Sequence, residues 1–246
     1  MRWIFYGLLA VIILLAGPIW VLISGQVDMS THWRNADHSR VGLAPLPKDH
    51  KPALVQIYAA RAYNWRGLLG VHMWIAIKPT AAKQYTIYQV SGWNLYRHPT
   101  SLSIKHGMPD TRWYGHKPDL IDQLTGLQAE QAIPKIKQAI KQYPYKKEYS
   151  LWPGPNSNTF VAYVIRHVPE LKTKLPTTAI GKDYLGKSTI FAWTPSGTGV
   201  QLSFTGMLGV SIGLYEGVEF NFFGLVFGVD VFPPAIKLPG INRVGF

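Results

Sequence analysis

The sequence of 246 residues contains no cysteine, and this absence excludes several kinds of chemistry. Without thiols the chain can form neither a disulfide nor a thiolate zinc site, and it has no cysteine nucleophile. Acidic residues are also few, because 13 Asp and Glu stand against 25 Lys and Arg. The formal charge of +12 therefore favours an anionic neighbour, such as a lipid surface or a phosphate-bearing glycan.

Several signatures of common binding sites are missing as well. The basic residues are scattered singly and do not interleave with aromatics on one face, so we predict no nucleic-acid partner. The histidines lie at irregular spacings, so we predict no metal site, and no sequence feature indicates a cofactor. Residues 195–199 lack the Gly-Lys-Ser/Thr ending of a phosphate loop and are predicted to form a β-turn. The oligomeric state is left open.

The first part of the chain is a long apolar run. Residues 3–24 carry no charge, and about 22 helical residues cover roughly 33 Å, enough for a hydrocarbon core of about 30 Å. A cleaved signal peptide is the alternative. The apolar run of a signal peptide is usually only about 7–15 residues and is followed by a small-residue cleavage site, whereas the run here is longer and no such site follows it. We predict a single-pass anchor at 1–25, a linker or arm at 26–51 and one domain at 52–246. The expected location is a bacterial inner membrane, with membrane lipid as a neighbour and the domain in the periplasm.

The remainder predicts an α+β domain in which an antiparallel sheet packs on helices. Strands are predicted from β-branched and aromatic alternation at 54–60, 70–78, 84–90 and 101–106. Apolar residues at helical spacing place a helical region at 118–143, with the helix itself near 123–142, and a second helix at 157–168. Glycine- and proline-punctuated sequence follows, with strands predicted at 189–193, 199–204 and 218–231.

Two chemically capable residues stand out in this domain. His72 lies on the strand 70–78, where it shares a face with Trp74. Ser157 lies at a predicted helix start, where the helix dipole and backbone N–H groups could stabilise an oxyanion. A serine needs a general base, for which we name His72, and Gln89 on the next strand could orient the imidazole. Further binding residues of this predicted site are Asn156, Asn158 and Trp74.

Plainer interpretations stand beside this one. Asn156, Ser157 and Asn158 follow a Pro-Gly-Pro turn, where such residues are the usual N-cap of a helix. A single histidine on a strand is more often a packed residue than a base. Lys182 and Asp183 are predicted to form a surface turn with a local ion pair.

Two of these stretches resemble a known superfamily. The strand GVHMWIAIK, followed far downstream by NSNTFV at a helix start, is similar to the circularly permuted papain-like proteins. These include NlpC-type cell-wall peptidases and lecithin:retinol acyltransferase-like proteins. The resemblance places His72 as the strand histidine and Ser157 where the superfamily has its nucleophilic cysteine. It implies a hydrolase or acyl or amide transferase acting on a cell-wall peptide or a lipid. Serine in place of cysteine equally fits an inactive module that binds an anionic envelope component.

A second resemblance covers nearly all of the predicted domain. It rests on the segments WPGPNSNTFVAYVIRHVPEL, LPTTAIGKDYL, TPSGTGVQLS, YEGVEFNFFGLVFGVD and PPAIKLPGINRVG. Together they resemble an uncharacterised bacterial family catalogued as domain of unknown function 3750. This resemblance implies membership of a family but no activity.

Overall fold

The fold is taken from a computed structural model that describes residues 2–245. The helices are α1 (Arg2–Ile23), α2 (Gly126–Gln142) and α3 (Ser157–Arg166). The strands of the first half are β1 (Leu54–Arg61), β2 (Val71–Lys78), β3 (Tyr85–Val90), β4 (Leu102–Gly107) and β5 (Asp119–Thr125). The strands of the second half are β6 (Phe191–Trp193), β7 (Gly199–Phe204), β8 (Leu208–Gly213), β9 (Gly217–Phe222), β10 (Leu225–Asp230), β11 (Ala235–Leu238) and β12 (Asn242–Gly245). The α+β class predicted from the sequence is confirmed.

Helix α1 is the apolar helix that the sequence predicted. Among residues 2–245 it is the one helix long and apolar enough to cross a membrane, with a mean hydropathy of 2.5. Its first four turns expose large apolar side chains, whereas its end contacts the rest of the chain. Val21 is buried there, and Gly17 lies so close to the Pro239 carbonyl that a Cβ would stand 1.8 Å from the oxygen.

Strands β1 to β5 form an antiparallel sheet in the order β4-β3-β2-β1-β5, and the four strands predicted at 54–106 are confirmed. Because side chains alternate along a strand, each face of the sheet builds its own core. One face packs on α2 and α3 through buried residues that include Val55, Ile57, Met73, Ile75, Ile136 and Phe160. The other face packs on irregular chain from residues 43–44 and 108–113. The segment 26–51, predicted as a linker or arm, thus contributes to this second core, and its division from the domain stays a prediction.

The predicted helical region at 118–143 is wrong over its first residues, and so is a helix start near 123. Asp119–Thr125 is the edge strand β5, which pairs with β1 and places Ile121 and Leu124 against the core. The buried apolar residues of α2 begin only at Ala129. The helical pattern that predicted α2 therefore does not include residues 118–125. Backbone pairing with β1 satisfies the N–H and C=O groups of this segment without a helix.

Strands β6 to β12 form a second antiparallel sheet in simple meander order, which the sequence did not predict as a separate sheet. The strands predicted at 189–193 and 199–204 are confirmed as β6 and β7, and the segment 218–231 is the hairpin β9–β10. The turn predicted at 195–199 joins β6 to β7. Strands β8, β11 and β12 were not predicted.

A buried cluster of charges lies on the inner face of this second sheet. Lys182 Nζ lies 2.6 Å from Glu219 Oε2 and 3.2 Å from Asp183 Oδ1. Lys237 Nζ lies 2.6 Å from Glu219 Oε1 and 2.9 Å from Asp230 Oδ1. Each of these five side chains is at most 5% exposed, so the predicted surface turn at Lys182 and Asp183 is wrong. The ion pair forms, but inside the protein, because the inward positions of the sheet carry charges that need partners.

Candidate functional site

A cavity of about 630 Å³ opens at the end of the first sheet, between the start of β2 and the start of α3. Its size is typical of a site for a small ligand. Both His72 and Ser157 line it, together with several aromatic side chains. These aromatic residues are Tyr63, Trp65, Trp93, Tyr96, Trp113, Tyr149 and Trp152.

The start of α3 is fixed by Asn156, which is the N-cap among the three candidates Asn156, Ser157 and Asn158 that the sequence offered. Its Oδ1 accepts hydrogen bonds from the backbone N–H groups of Asn158 (2.9 Å) and Thr159 (3.1 Å). In return the Thr159 hydroxyl accepts the Asn156 N–H at 3.1 Å, which completes a capping box. Ser157 is therefore the first residue of the helix, as predicted, and the helix ends at Arg166, two residues earlier than expected.

Asn158 ties this helix start to the sheet. Its Nδ2 donates to the carbonyl oxygens of Val71 at 3.0 Å and of Ile180 at 2.8 Å. Val71 directly precedes His72 on β2, and Ser157 directly precedes Asn158 on α3. The two hydrogen bonds therefore hold the strand that carries the imidazole against the helix start that carries the hydroxyl.

The imidazole of His72 is oriented by two contacts. Its Nε2 lies 3.0 Å from Gln89 Oε1, and its ring stacks on Trp113 with the centroids 3.7 Å apart and the planes 9° from parallel. An amide oxygen only accepts hydrogen bonds, so Nε2 carries the proton and Nδ1 keeps a free lone pair. The sequence predicted Gln89 as this partner, and the structure places it there.

Burial holds His72 in its neutral form. Desolvation lowers its pKa from 6.5 to about 4, the positive charge of Lys105 acts in the same direction, and the hydrogen bond to Gln89 opposes both. A histidine with such a pKa is neutral at pH 7 and can accept a proton. The side chain has therefore the protonation state that a general base needs.

Ser157 lies in the same cavity and is 4% exposed. Within residues 2–245 its hydroxyl has no hydrogen-bond partner, and no hydrogen bond joins it to His72. Its backbone N–H belongs to the first turn, whose N–H groups have no partner inside the helix, and the Asn156 cap accepts those of Asn158 and Thr159 instead. The Ser157 N–H therefore stays available for an anionic oxygen, while the Ser157–His72 pair stays a prediction.

The other predicted binding residues have structural contacts. Trp74 is 3% exposed, donates from Nε1 to the Pro109 carbonyl at 2.9 Å, and lines a neighbouring cavity rather than this one. Asn156 and Asn158 line the cavity, and the Nδ2 group of each donates to backbone carbonyls, whereas Asn158 Oδ1 has no hydrogen-bond partner within residues 2–245. Both residues therefore position Ser157.

Sequence reasoning missed Trp113, which covers one face of His72, and Arg66, the basic residue on the cavity wall. Trp113 lies in a bridged turn with His116, and Arg66 lies in the 3-10 helix Asn64–Leu68. Both segments are too short for a periodic pattern. Their only signal is an unusual density of aromatic residues in chain that is otherwise polar.

The fold and the cavity together define an α+β protein with an apolar N-terminal helix and a pocket shared by a serine and a histidine. Residues 52–184 match the family model described as protein of unknown function (DUF3750). This match covers more than half of the 246 residues, so the chain belongs to that family, as predicted from the sequence. The match is shorter than the predicted resemblance, because three of the five segments that carried it, at 194–203, 215–230 and 233–245, lie beyond residue 184. The match includes every residue that lines the cavity, whereas α1 and strands β6 to β12 lie outside it. No curated protein and no solved structure matched the chain.

Proposed function

We propose that the cavity is the active site of a membrane-anchored hydrolase or acyl or amide transferase. The observation that carries this proposal is the placement of a neutral, oriented imidazole and an unengaged serine hydroxyl on the walls of one pocket. The similarity of the stretches around His72 and Ser157 to the permuted papain-like proteins also supports the proposal. In this assignment Ser157 is the nucleophile, His72 the general base and Gln89 a positioning residue.

The chemistry is acyl transfer through a covalent intermediate. Ser157 Oγ attacks the carbonyl carbon of an ester or amide while His72 Nδ1 takes the hydroxyl proton. The oxyanion that forms is stabilised by the Ser157 N–H and by the positive end of the α3 dipole. The C–O or C–N bond then breaks, and His72 returns its proton to the leaving alcohol or amine. Water or an acceptor amine or alcohol attacks the acyl-enzyme in a second round of the same steps.

The setting is a bacterial inner membrane with the domain on the periplasmic side. The apolar helix α1 supplies the anchor, and the charge of +12 suits an anionic surface. The substrate is a cell-wall peptide or a lipid that carries an ester or amide. The mainly aromatic wall of the cavity suits an apolar portion of such a substrate.

A binding module without catalysis is the second candidate, and one observation favours it. No hydrogen bond joins Ser157 to His72 within residues 2–245, although a general base must come within about 2.6–3.2 Å of the proton it takes. Arg66 on the cavity wall would then pair with an anionic group of an envelope component.

Labelling with a fluorophosphonate separates the two candidates. The probe modifies a serine hydroxyl only where a base activates it, so purified full-length protein in detergent should be labelled at Ser157. Ser157→Ala should abolish the label and His72→Ala should remove most of it, because each variant deletes one partner of the pair. The labelled residue is identified by mass spectrometry of proteolytic fragments.

Ser188→Ala is the matched control, because Ser188 is an exposed serine away from the cavity. This variant should be labelled as strongly as the parent protein. Labelling that persists in both Ser157→Ala and His72→Ala would refute the catalytic assignment. A parent protein that is never labelled, yet retains an anionic ligand in an Arg66-dependent way, would support the binding module.

A further inference from the structure

The outer face of the second sheet is apolar from one edge to the other. Pairing of the strands aligns its outward side chains in cross-strand rows. The first row crosses all seven strands and consists of Trp193, Val200, Ile212, Val218, Val229, Ile236 and Val244. The second row consists of Phe191, Leu202, Val210, Phe220 and Phe227. The third row consists of Phe204, Leu208, Phe222 and Leu225.

These rows are exposed, which reverses the usual arrangement of an antiparallel sheet. Phe220 is 45% exposed, Ile236 58% and Trp193 64%. The inward positions instead carry polar and charged residues, among them Gln201, Ser203, Ser211, Glu219, Asn221 and Lys237, which are all buried. A sheet with one solvated face normally places its polar side chains on that face. The outer face is therefore built for an apolar environment, since an apolar patch of such extent is rare on a protein that meets only water.

The apolar helix α1 contacts the same sheet. The turn between β11 and β12 packs on it, where Gly17 meets Pro239 and a Cβ on Gly240 would stand 2.8 Å from the Pro18 nitrogen. The pairing of β10 with β11 places this turn at the end of the sheet where β9 turns into β10, beside the row of Phe222. A bilayer crossed by α1 therefore lies next to this end of the outer face.

The apolar surface also reaches the rim of the cavity. Phe223, in the β9–β10 turn, stacks on Trp152 with the centroids 6.1 Å apart, and its carbonyl accepts the Trp152 Nε1–H at 2.9 Å. Trp152 lines the cavity that holds Ser157 and His72. No charged residue occurs in the three rows, so the surface from α1 to the cavity rim matches acyl chains and the adjoining interface.

We propose that the outer face of the second sheet lies in the surface of the lipid bilayer that α1 crosses, with its three rows of side chains among the acyl chains. The occupant of this face is lipid and not a second copy of the chain, because the face adjoins the one helix within residues 2–245 that suits hydrocarbon. The inference does not depend on catalysis by Ser157. It implies that the cavity mouth stands at the lipid interface.

Depth-dependent quenching in vesicles tests this placement. Because the chain has no native cysteine, each introduced cysteine is the single labelling site. Single variants Phe220→Cys and Ile236→Cys of the full chain are labelled with the fluorophore NBD and reconstituted into phosphatidylethanolamine–phosphatidylglycerol vesicles. The vesicles are made with and without lipids that carry a nitroxide on the acyl chain. Both sheet positions should lose most of their fluorescence to the nitroxide lipids, as Ile12→Cys in α1 should.

Leu127→Cys is the matched control, because Leu127 is an apolar residue of α2 that is 69% exposed. Its NBD label should keep its fluorescence in the nitroxide vesicles. The proposal is overturned if the labels at Phe220 and Ile236 behave like the label at Leu127 while that at Ile12 is quenched. It is also overturned if the sheet labels are unquenched and Phe220→Cys chains form disulfide dimers on oxidation, since a second copy would then cover the face.

Discussion

At the scale of single residues, the protonation state of His72 determines what the pocket can do. Gln89 and Trp113 hold the ring in place, and desolvation lowers its pKa to about 4. An imidazole with this pKa is already neutral at pH 7 and does not first have to lose a proton, but it is a weaker base than an ordinary histidine. Its activity should therefore persist at pH values where an ordinary histidine would already be charged.

The same pKa predicts how stability depends on pH. The unfolded chain protonates His72 below about pH 6.5, whereas the folded protein resists protonation until about pH 4. The contribution of neutral His72 to the free energy of unfolding is therefore complete above pH 6.5. It declines as the pH falls and is lost by about pH 4, and the total loss is about 3 kcal/mol. Urea unfolding in detergent at pH 7.5 and pH 4 measures this loss.

The comparison is made with His72→Gln, which removes the titrating group and keeps a polar side chain. The parent protein should lose about 3 kcal/mol more than this variant over the same pH interval. Equal losses in the two proteins would show that His72 titrates normally and is not desolvated.

The residues of the site were partly predictable. His72, Gln89 and Ser157 could be found because strand alternation and helix-capping chemistry act over a few residues. Trp113 and Arg66 could not, since only tertiary packing brings their short segments to the cavity. Trp74 shares a face with His72 but lies one full alternation further along β2, which places it beyond the end of the cavity.

At the scale of elements, the start of α3 is the part that positions Ser157. Besides capping the helix, Asn156 donates from Nδ2 to the carbonyls of Leu151 and Ile180 at 3.0 Å each. Gly181 lies against this amide in a left-handed conformation with φ of +96°, and a Cβ there would stand 2.4 Å from Asn156 Nδ2. The cap therefore depends on the absence of a side chain at residue 181.

Gly181→Ala should destabilise the protein through this clash. Gly42 is the matched control, because its φ is +80° but a Cβ would meet nothing within 4 Å. Both variants incur the cost of a left-handed alanine, so their difference isolates the displacement of Asn156. We expect Gly181→Ala to lose about 1–3 kcal/mol more than Gly42→Ala in urea unfolding. Equal losses would mean that the Asn156 cap can move freely.

The boundaries of some elements could not be predicted from periodic sequence patterns alone. The apolar residues of 118–125 are Leu120, Ile121 and Leu124, which do not alternate strictly because the pairing of β5 with β1 shifts register between Ile57 and Tyr58. Only this pairing shows that the segment is a strand. In the second sheet, alternation predicted several strands but not their orientation. A period of two is the same whether the apolar side chains point inward or outward.

At the scale of the whole molecule, the charge cluster joins the second sheet to the loop that follows α3. Burial alone would raise the pKa of Glu219, but the charges of Lys182 and Lys237 lower it below its usual value. Burial likewise would lower the pKa of Lys182, yet Asp183 and Glu219 raise it. The positive and negative charges of the cluster therefore offset one another only while every member stays ionised.

Glu219→Gln should therefore be severe, because it leaves two buried ammonium groups with a missing partner. The expected loss is about 3–5 kcal/mol of unfolding free energy. Glu170→Gln is the control, since Glu170 pairs with Lys135, whose side chain is 48% exposed, and should lose at most about 1 kcal/mol. Similar losses for both variants, measured by urea unfolding, would contradict the account of the inner face as a dry charge network.

The central claim is that His72 and Ser157 act on one another within the pocket. The most direct measurement follows the rate at which the fluorophosphonate labels Ser157 as a function of pH. Because the base is an imidazole with a pKa of about 4, the account predicts a rate that stays level from pH 7 to about pH 5 and falls only as the pH approaches 4. His72→Ala should be labelled slowly at every pH. A labelling rate that falls with an ordinary histidine pKa near 6.5, or one that is unchanged by the loss of His72, would contradict the account.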